Sequence, residues 1–220
     1  MSALWQPEIN GPRRVRVSDI IVIRPVQTGS DIIVLLELAI VVEEERRRKR
    51  PKSTPGNTKI FVREGETLEQ KKAATTSLLD RGKDWELKVD LDGRLVFPIV
   101  ETTLRPDMVL ITNQSRTIIV VELTVLWEEN CEEAHEMKNF EYADLIADCK
   151  EKGWKAWLFA VEVGCRGFPA QSTKRLLQHL GVRGKTMSSA MRRTGEAAEK
   201  ASCWLWHRRV DLEWKSGSIE

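Results

Sequence analysis

The stretch that decides the fold is ETTLRPDMVLITNQSRTIIVVELTVLWE, residues 101–128. It holds two apolar runs separated by the polar segment 113–115, a pattern that predicts two strands joined as a hairpin. Asp107 stands at the start of the first strand, directly after Pro106, which restricts the chain as it enters. Glu122 stands in the middle of the second strand. Carboxylates on strands that should be buried need an explanation, because a buried charge is unfavourable unless it is paired.

The composition places the chain among globular proteins. A length of 220 residues favours one domain, with two small ones as the alternative. Hydrophobic residues make up 41% of the chain and charged residues 31%, proportions that exclude a disordered protein. The net charge of +2 is too small to identify a partner. Basic residues cluster at 193–209 and in RRRKRPK at 46–52; such a run is typical of a solvated face or linker, and a nuclear address or nucleic-acid patch is the alternative.

The sequence carries no signal for a membrane span or for secretion. The longest apolar run, IIVLLELAIVV at 32–42, contains Glu37 and falls short of the roughly 20 residues that a spanning helix needs. The N-terminus, MSALWQPEINGPRRVRV, lacks the basic-then-apolar order of a signal peptide. We therefore expect a nuclear or otherwise intracellular protein that is neither secreted nor bound to a membrane.

The cysteines do not indicate a zinc site. The chain has four of them and no CxxC pair, which argues against a structural zinc ion held by this chain alone. Cys131 and His135 are four apart and would share one helix face, an arrangement that is more often structural than metal-binding. A metal site is better sought among the carboxylates.

The rest of the sequence predicts a mixed α/β fold. After an N-terminal helix the order is β-β-β-β-α-β-α-α, in which the helix between the last two strands allows them to lie parallel in a mixed sheet flanked by helices. For the N-terminal helix, DIIVLLEL at 31–38 leaves a strand as the alternative. Residues 1–30 are expected to be a weakly ordered lead-in and 50–60 a linker. The predicted strands are 85–91, 94–98 (after an Asp92-Gly93 turn signal), 107–112, 116–125 and 155–164, and the predicted helices are 31–49, 67–80, 128–151, 169–180 and 185–209.

The spacing of the two carboxylates allows a metal site. Glu122 follows Asp107 by fifteen positions, so a short turn can bring the two side chains level across the hairpin. Two carboxylates that close repel each other unless a cation lies between them, and Mg²⁺ prefers one or two carboxylates with water and phosphate oxygens. The alternative is turn chemistry at Asp107 and an ion pair between Glu122 and Arg105 or Arg116 at a sheet edge.

A metal-dependent phosphodiesterase also places a cation near the attacking water and the charged transition state. Thr124 lies two residues after Glu122 and faces the same way, but it carries no charge. Lys138 can supply the cation, because it lies in the helix that must pack back over the sheet. The same helix offers further candidate groups, Glu132, Glu133, His135 and Glu136.

Several short motifs together resemble one family. They are TTLRPDMVL, VVELTVLWEEN, KNFEYADL, GW at 153–154, VEVGCRGF and EAAEKASCWLW. The order Pro-Asp, hairpin, Glu-x-Thr, with a lysine in the next helix, resembles the PD-(D/E)XK nuclease fold in a variant whose lysine has migrated. The whole set resembles the restriction-like endonuclease domain of non-LTR retrotransposons and of animal proteins derived from it. The resemblance covers about 37–214 and is strongest at 84–209.

The resemblance implies a restriction-endonuclease-like domain at 61–214, preceded by a lead-in, helix and basic linker at 1–60 and followed by a tail at 215–220. The fold would carry a helical N-terminal extension and a C-terminal helical cap. In this family two acids bind the metal used to nick DNA, and the nicked end primes reverse transcription. Carried over by position, Asp107 and Glu122 would hold Mg²⁺ or Mn²⁺, and Lys138 would be the catalytic lysine. The implied partners are DNA and a retrotransposon RNA–protein complex.

Other positions leave alternatives open. Tyr142 matches an aromatic position of the lysine helix, and packing that helix onto the sheet is its alternative role. VGCRGF at 163–168 fits either a phosphate-binding loop or a simple tight turn. Tryptophans two apart near the C-terminus cannot share one helix face, so at least one should lie in the core. The candidate DNA contacts are Arg105, Arg166, Arg208 and Arg209, and the tryptophans expected to pack in or against the core are Trp85, Trp127, Trp154 and Trp157.

The chain departs from the family pattern at several places. Gly29 and Ser30 stand where family members usually carry an Arg-His pair, and Glu141 stands where a second lysine is common. No reverse transcriptase and no Cys-His zinc knuckle is present in the sequence. The alternative function is therefore a catalytically inactive, nuclease-derived module that binds nucleic acid or another partner.

Overall fold

A computed structural model describes residues 30–49, 77–91 and 95–208. The lead-in up to Gly29, the linker at 50–60, residues 67–76 of the helix predicted over 67–80, the Asp92-Gly93 turn, Arg209 and the tail lie outside the described residues. The elements are α1 (Ser30–Lys49), a 3₁₀ turn (Leu78–Arg81), β1 (Glu86–Val89), β2 (Met108–Thr112), β3 (Thr117–Leu126), a second 3₁₀ turn (Glu128–Asn130), α2 (Cys131–Glu141), α3 (Ala143–Glu151), β4 (Lys155–Gly164), α4 (Gln171–Leu180) and α5 (Gly184–Arg208).

The four strands form one mixed sheet in the order β1-β2-β3-β4. β1 pairs with β2 and β2 with β3 in antiparallel fashion, whereas β3 and β4 are parallel. The parallel pair needs a crossover connection, which α2 and α3 supply. The predicted mixed sheet flanked by helices is therefore confirmed.

One predicted strand is absent from the sheet. In the described part of the segment 94–98, no residue has strand conformation, and β1 pairs directly with β2. The backbone N–H of Leu95 donates to Asp90 Oδ1 at 3.1 Å. This N–H is therefore bonded to a side chain and not to the carbonyl oxygen of a neighbouring strand. Phe97 is 7% exposed and packs against the core. The apolar pattern that predicted a strand is thus explained by the burial of an irregular segment.

The sheet is covered on both faces, as the near-continuous apolar run of β3 requires. One face carries Ile119, Val121 and Leu123, which pack with residues of α1, α4 and α5. The other face carries Ile118 and Val120, which pack with residues around α3. The domain therefore has three layers, helix, sheet and helix, with one apolar core on each side of the sheet.

α1 belongs to the first of these cores. Val34, Leu38 and Val42 have no exposed surface and pack with the sheet, which excludes the strand alternative for 31–38. Arg193 of α5 reaches Glu37 of α1 at 2.7 Å. The helix that the sequence placed in an N-terminal extension thus packs against the sheet.

The basic run at the end of α1 is engaged by neighbouring acids. Arg46 and Arg47 pair with the buried Glu43 at 2.6 and 2.9 Å, and Lys49 pairs with Asp80 at 2.9 Å. Burial acts to raise the pKa of Glu43, but hydrogen bonds from the two arginines outweigh it and lower that pKa. Part of the run therefore forms ion pairs within α1, and Lys49 joins the end of α1 to the turn that precedes β1.

The helix predicted over 128–151 is divided at Tyr142. Its first part, α2, has no fully buried residue, whereas α3 buries Leu145, Ile146 and Cys149. Tyr142 itself is 2% exposed and lies between the two helices. α3 is consequently held to the sheet by apolar packing, and α2 is held there largely by other contacts.

The loop after β4 approaches α5 through two glycines. Gly167 adopts a φ of +93°, which favours glycine. Gly195 lies within α5, and a Cβ atom there would stand 2.3 Å from the carbonyl oxygen of Gly167. The close approach of loop and helix therefore depends on the missing side chain at 195.

We expect Gly195→Ala to destabilise the protein. Alanine favours a helix by about 1 kcal/mol over glycine, but overpacking against a fixed backbone costs about 1–3 kcal/mol, so the clash should dominate. Urea unfolding followed by circular dichroism measures the change. Ser189→Ala, at an exposed position of the same helix, is the control and should be neutral. A Gly195→Ala variant as stable as the wild type would show that the loop is free to move away.

Candidate active site

The hairpin brings Asp107 and Glu122 to the same place. The antiparallel ladder of β2 and β3 ends with the pair Met108 and Val121, so the next position sets Asp107 opposite Glu122. The backbone N–H of Leu123 donates to Asp107 Oδ2 at 2.7 Å, which ties the aspartate to the neighbouring strand. Side-chain alternation places both acids on the face that α2 and α3 cover.

Glu122 is buried and receives partners on both carboxylate oxygens. It is 7% exposed. The Tyr142 hydroxyl donates to Oε2 at 2.8 Å, and the Lys138 ammonium lies 2.9 Å from Oε1. The partners of Glu122 are thus Lys138 of α2 and Tyr142, the residue after that helix. The alternative interpretation of the sequence, an ion pair of Glu122 with Arg105 or Arg116, is not what the structure shows.

The charges of this cluster shift the pKa of two neighbouring groups. Burial acts to lower the pKa of Lys138, but its bonds to Glu122 and Glu141 raise it above the usual value. Burial and the adjacent Glu122 carboxylate raise the pKa of Tyr142 far above its usual range. Lys138 is therefore a cation at neutral pH, and Tyr142 is a neutral donor.

A third acid, Asp90, aligns with this pair and was not identified from the sequence. Its backbone N–H donates to the carbonyl oxygen of Asp107 at 2.8 Å, which extends the ladder between β1 and β2 by one position. Asp90, Asp107 and Glu122 therefore stand in one row across three strands. The alternation of WELKVDL at 85–91 predicted a half-buried strand, but the partner of each residue depends on a register that the sequence alone does not determine.

The chemistry of the Asp107 and Glu122 side chains is compatible with a small divalent cation. No three His, Cys, Asp or Glu side chains gather as a metal cluster within the described ranges. Mg²⁺ does not need such a cage, because one or two carboxylates with water and phosphate oxygens satisfy it. Asp107 and Glu122 carry hard carboxylate oxygens of that kind.

A second buried carboxylate lies on the same face. Glu162 of β4 pairs in register with Thr124, two residues beyond Glu122, and is 2% exposed. His135 of α2 places Nδ1 at 3.1 and 3.2 Å from the two carboxylate oxygens, and the Ser172 hydroxyl also donates to Glu162. The sequence named His135 as a candidate but gave no reason to join it to Glu162.

The loop at 163–168 is a tight turn closed by a carboxylate. Arg166 donates from Nε to Glu128 at 2.7 Å and from its backbone N–H at 3.0 Å. A Cβ atom on Gly164 would meet the Glu128 side chain. The glycine and the arginine both accommodate Glu128, an arrangement that accounts for this loop without a phosphate.

Two of the remaining predicted DNA contacts, Arg105 and Arg208, are exposed. Arg208 lies over the ring of Trp204, with the guanidinium carbon 4.9 Å from the ring centroid. Arg105 is exposed on the approach to β2. Trp127 is 57% exposed, so the prediction that it packs in or against the core is wrong. It follows the last residue of β3, where the chain turns away from the sheet.

Comparisons of the chain with models of protein families and with curated proteins find no match.

In the part of the chain that the structure describes, no helix combines the length and apolar character needed to span a bilayer.

Tyr142 should resist ionisation in the folded protein. It is the single tyrosine of the chain, so the ultraviolet absorbance of tyrosinate reports on it alone. The pKa of a tyrosine in an unfolded chain is about 10. Because the folded state keeps a proton that the unfolded state loses, the stability from this group is fully present below about pH 10 and declines as pH rises further.

The measurement is a spectrophotometric titration with and without denaturant. The folded protein should show no tyrosinate until it unfolds in alkali, and Glu122→Gln should allow ionisation at lower pH. If Tyr142 of the folded wild type ionised at the same pH as in the denatured chain, the result would contradict the buried hydrogen bond to Glu122.

Proposed function

We propose that this protein is a metal-dependent DNA endonuclease that hydrolyses phosphodiester bonds and nicks one strand. The observation that carries the proposal is the Lys138 ammonium, 2.9 Å from the buried Glu122 carboxylate, at the point where Asp107 comes level across the hairpin. Acids and a lysine converging at one end of a mixed sheet match the residue types that the motif resemblance assigns to catalysis.

Each residue of the site would have a separate role in the reaction. Asp107 and Glu122 would hold Mg²⁺ or Mn²⁺, which supplies Lewis-acid activation of water and neutralises phosphate charge. Lys138 would stabilise the negative charge that develops on the phosphate oxygens. Tyr142 and the Leu123 backbone N–H fix the two carboxylates, and such supporting contacts keep ligands oriented before the substrate arrives.

The substrate and setting follow from the resemblance. DNA as substrate, a retrotransposon RNA–protein complex as partner and a nuclear location all belong to this proposal. The motifs support them, and the hard-oxygen donor pair supports an ion that binds phosphate.

One observation favours a second function, a nuclease-derived module that binds nucleic acid or a partner without cleavage. Lys138 lies 3.0 Å from Glu141 as well as 2.9 Å from Glu122. Glu141 replaces a lysine that is common in the family, so the lysine is shared between two carboxylates. That sharing reduces the positive charge offered to a phosphate.

Nicking of supercoiled plasmid tests the first function. With Mg²⁺ or Mn²⁺ the wild type should nick, and chelator should stop it. Asp107→Asn and Lys138→Ala should each lower the rate by about 100-fold or more, because each removes a group that acts on the transition state.

The matched controls are Asp148→Asn and Lys150→Ala in α3, which are exposed and should nick at the wild-type rate. A folded wild type that does not nick with either metal would exclude the enzyme. Salt-sensitive plasmid binding that is indifferent to metal and to Asp107→Asn would then establish the binding module, and no binding at physiological salt would exclude both.

Glu141→Gln should release Lys138 toward the phosphate. An exposed ion pair is worth up to about 1 kcal/mol, so nicking and DNA binding should each rise about two- to fivefold. Initial nicking rates and gel retardation measure the two effects. Glu133→Gln, at an exposed position of α2, removes the same charge away from Lys138 and serves as the control. Equal effects of the two substitutions would show that Glu141 acts only through net charge.

A further inference from the structure

His135, Glu162 and Ser172 form a polar cluster directly beside the candidate active site. The Glu162 carboxylate is almost fully buried, at 2% exposure, yet it faces the helix that carries Lys138. His135 lies within hydrogen-bonding distance of both its oxygens, at 3.1 and 3.2 Å. None of these three residues has a role in the proposed function as described so far.

The hydrogen bonds show which atoms of this cluster donate protons and which accept them. The backbone N–H of Glu162 donates to Ser172 Oγ at 3.2 Å, so the hydroxyl is left to donate its own proton to the Glu162 carboxylate. The carboxylate thus acts as an acceptor, and His135 Nδ1 is assigned as a second donor to it. Nε2 is then the nitrogen through which His135 can exchange a proton with a substrate.

The cluster lies at a suitable distance from the carboxylates of the hairpin. Glu162 stands level with Thr124, two residues along the strand and one strand across from Glu122, a separation of about 8 Å between the Cα atoms. On α2, His135 and Lys138 are three apart and share the face over the sheet. The His135 side chain is 37% exposed, so its ring reaches the surface between these elements. His135 and Lys138 therefore lie over the face of the sheet that carries Asp107 and Glu122, where the proposed site would hold a phosphodiester.

We propose that His135 is a further catalytic residue that donates a proton to the leaving oxygen of the DNA phosphodiester, and that Glu162 is its positioning residue. This inference rests on the proposed nuclease function. Water bonds to phosphorus and gives one proton to solvent, while the bond from phosphorus to the leaving oxygen breaks. The electron pair of that bond takes the proton from His135 Nε2. The imidazole is left neutral and regains a proton from solvent.

A purely structural role for the cluster gives a different expectation. The Glu162 carbonyl oxygen accepts from Thr173 Oγ1 at 3.0 Å and from the Ala170 N–H at 2.9 Å, so β4 is joined here to the start of α4. If His135 served only to hold α2 against this junction, its loss would disturb every substrate equally. A proton donor matters only when the leaving group needs a proton.

The test compares two DNA substrates with the full chain, in Mg²⁺ and in Mn²⁺. Mapping the wild-type products shows which bridging oxygen leaves, and the second substrate carries sulphur at that position. A thiolate leaves without a proton donor. His135→Gln should lower cleavage of the oxygen substrate by about 10²- to 10⁴-fold and should cleave the sulphur substrate at nearly the wild-type rate. Glu162→Gln should show the same selectivity with a smaller loss, with thermal unfolding as the check on its folding.

His179→Gln is the matched control. His179 lies on α4, is exposed, and engages the carbonyl oxygen of Arg175 through Nδ1 at 2.8 Å, so both substrates should be cleaved normally. Equal slowing of both substrates by His135→Gln, or no slowing of either, would overturn the proton-donor role while the nuclease function stands. A wild type that cleaves neither substrate would overturn the nuclease function and this inference with it.

Discussion

A carboxylate buried in the middle of a strand must be neutralised by groups brought from elsewhere, and Glu122 imposes that requirement on the fold. Its partners, Lys138 and Tyr142, come from the helix that follows the strand. Since a buried charge without partners is strongly destabilising, α2 has to cross back over the end of the sheet. The crossover that makes β3 and β4 parallel is therefore also the element that completes the polar site.

The two faces of the sheet solve different problems. Beneath α1, α4 and α5 the side chains of β3 are apolar, and the contacts there are those of an ordinary core. Beneath α2 the same strand and its parallel neighbour change from apolar to polar toward their C-terminal ends, where Glu122 and Glu162 lie. The apolar packing of the first face and the polar bonds of Glu122 and Glu162 on the second are thus separated in space.

The sequence was sufficient for features that depend on local pattern. The hairpin that sets Asp107 level with Glu122 follows from two apolar runs and a short turn, and the lysine helix follows from its position after the strand. Asp90 and Glu162 were missed because their neighbours are fixed by strand register and by the parallel pairing, which involve residues far apart in the chain. The predicted strand at 94–98 failed for a related reason, since the burial of Phe97 gave an apolar signal without a ladder. Trp127 was misplaced because the apolar character of a tryptophan does not reveal that the chain leaves the sheet there.

The absence of any fully buried residue in α2 has a consequence for motion. Apolar contacts anchor α3 through Leu145, Ile146 and Cys149, whereas α2 is attached by directional polar bonds from Lys138 and His135. Segments with little buried apolar surface open at a lower free energy than the domain as a whole. We therefore expect α2 to open at a lower free energy than the two apolar cores. The helix that carries the Lys138 ammonium and the His135 imidazole is then less firmly anchored than the strand that carries Glu122.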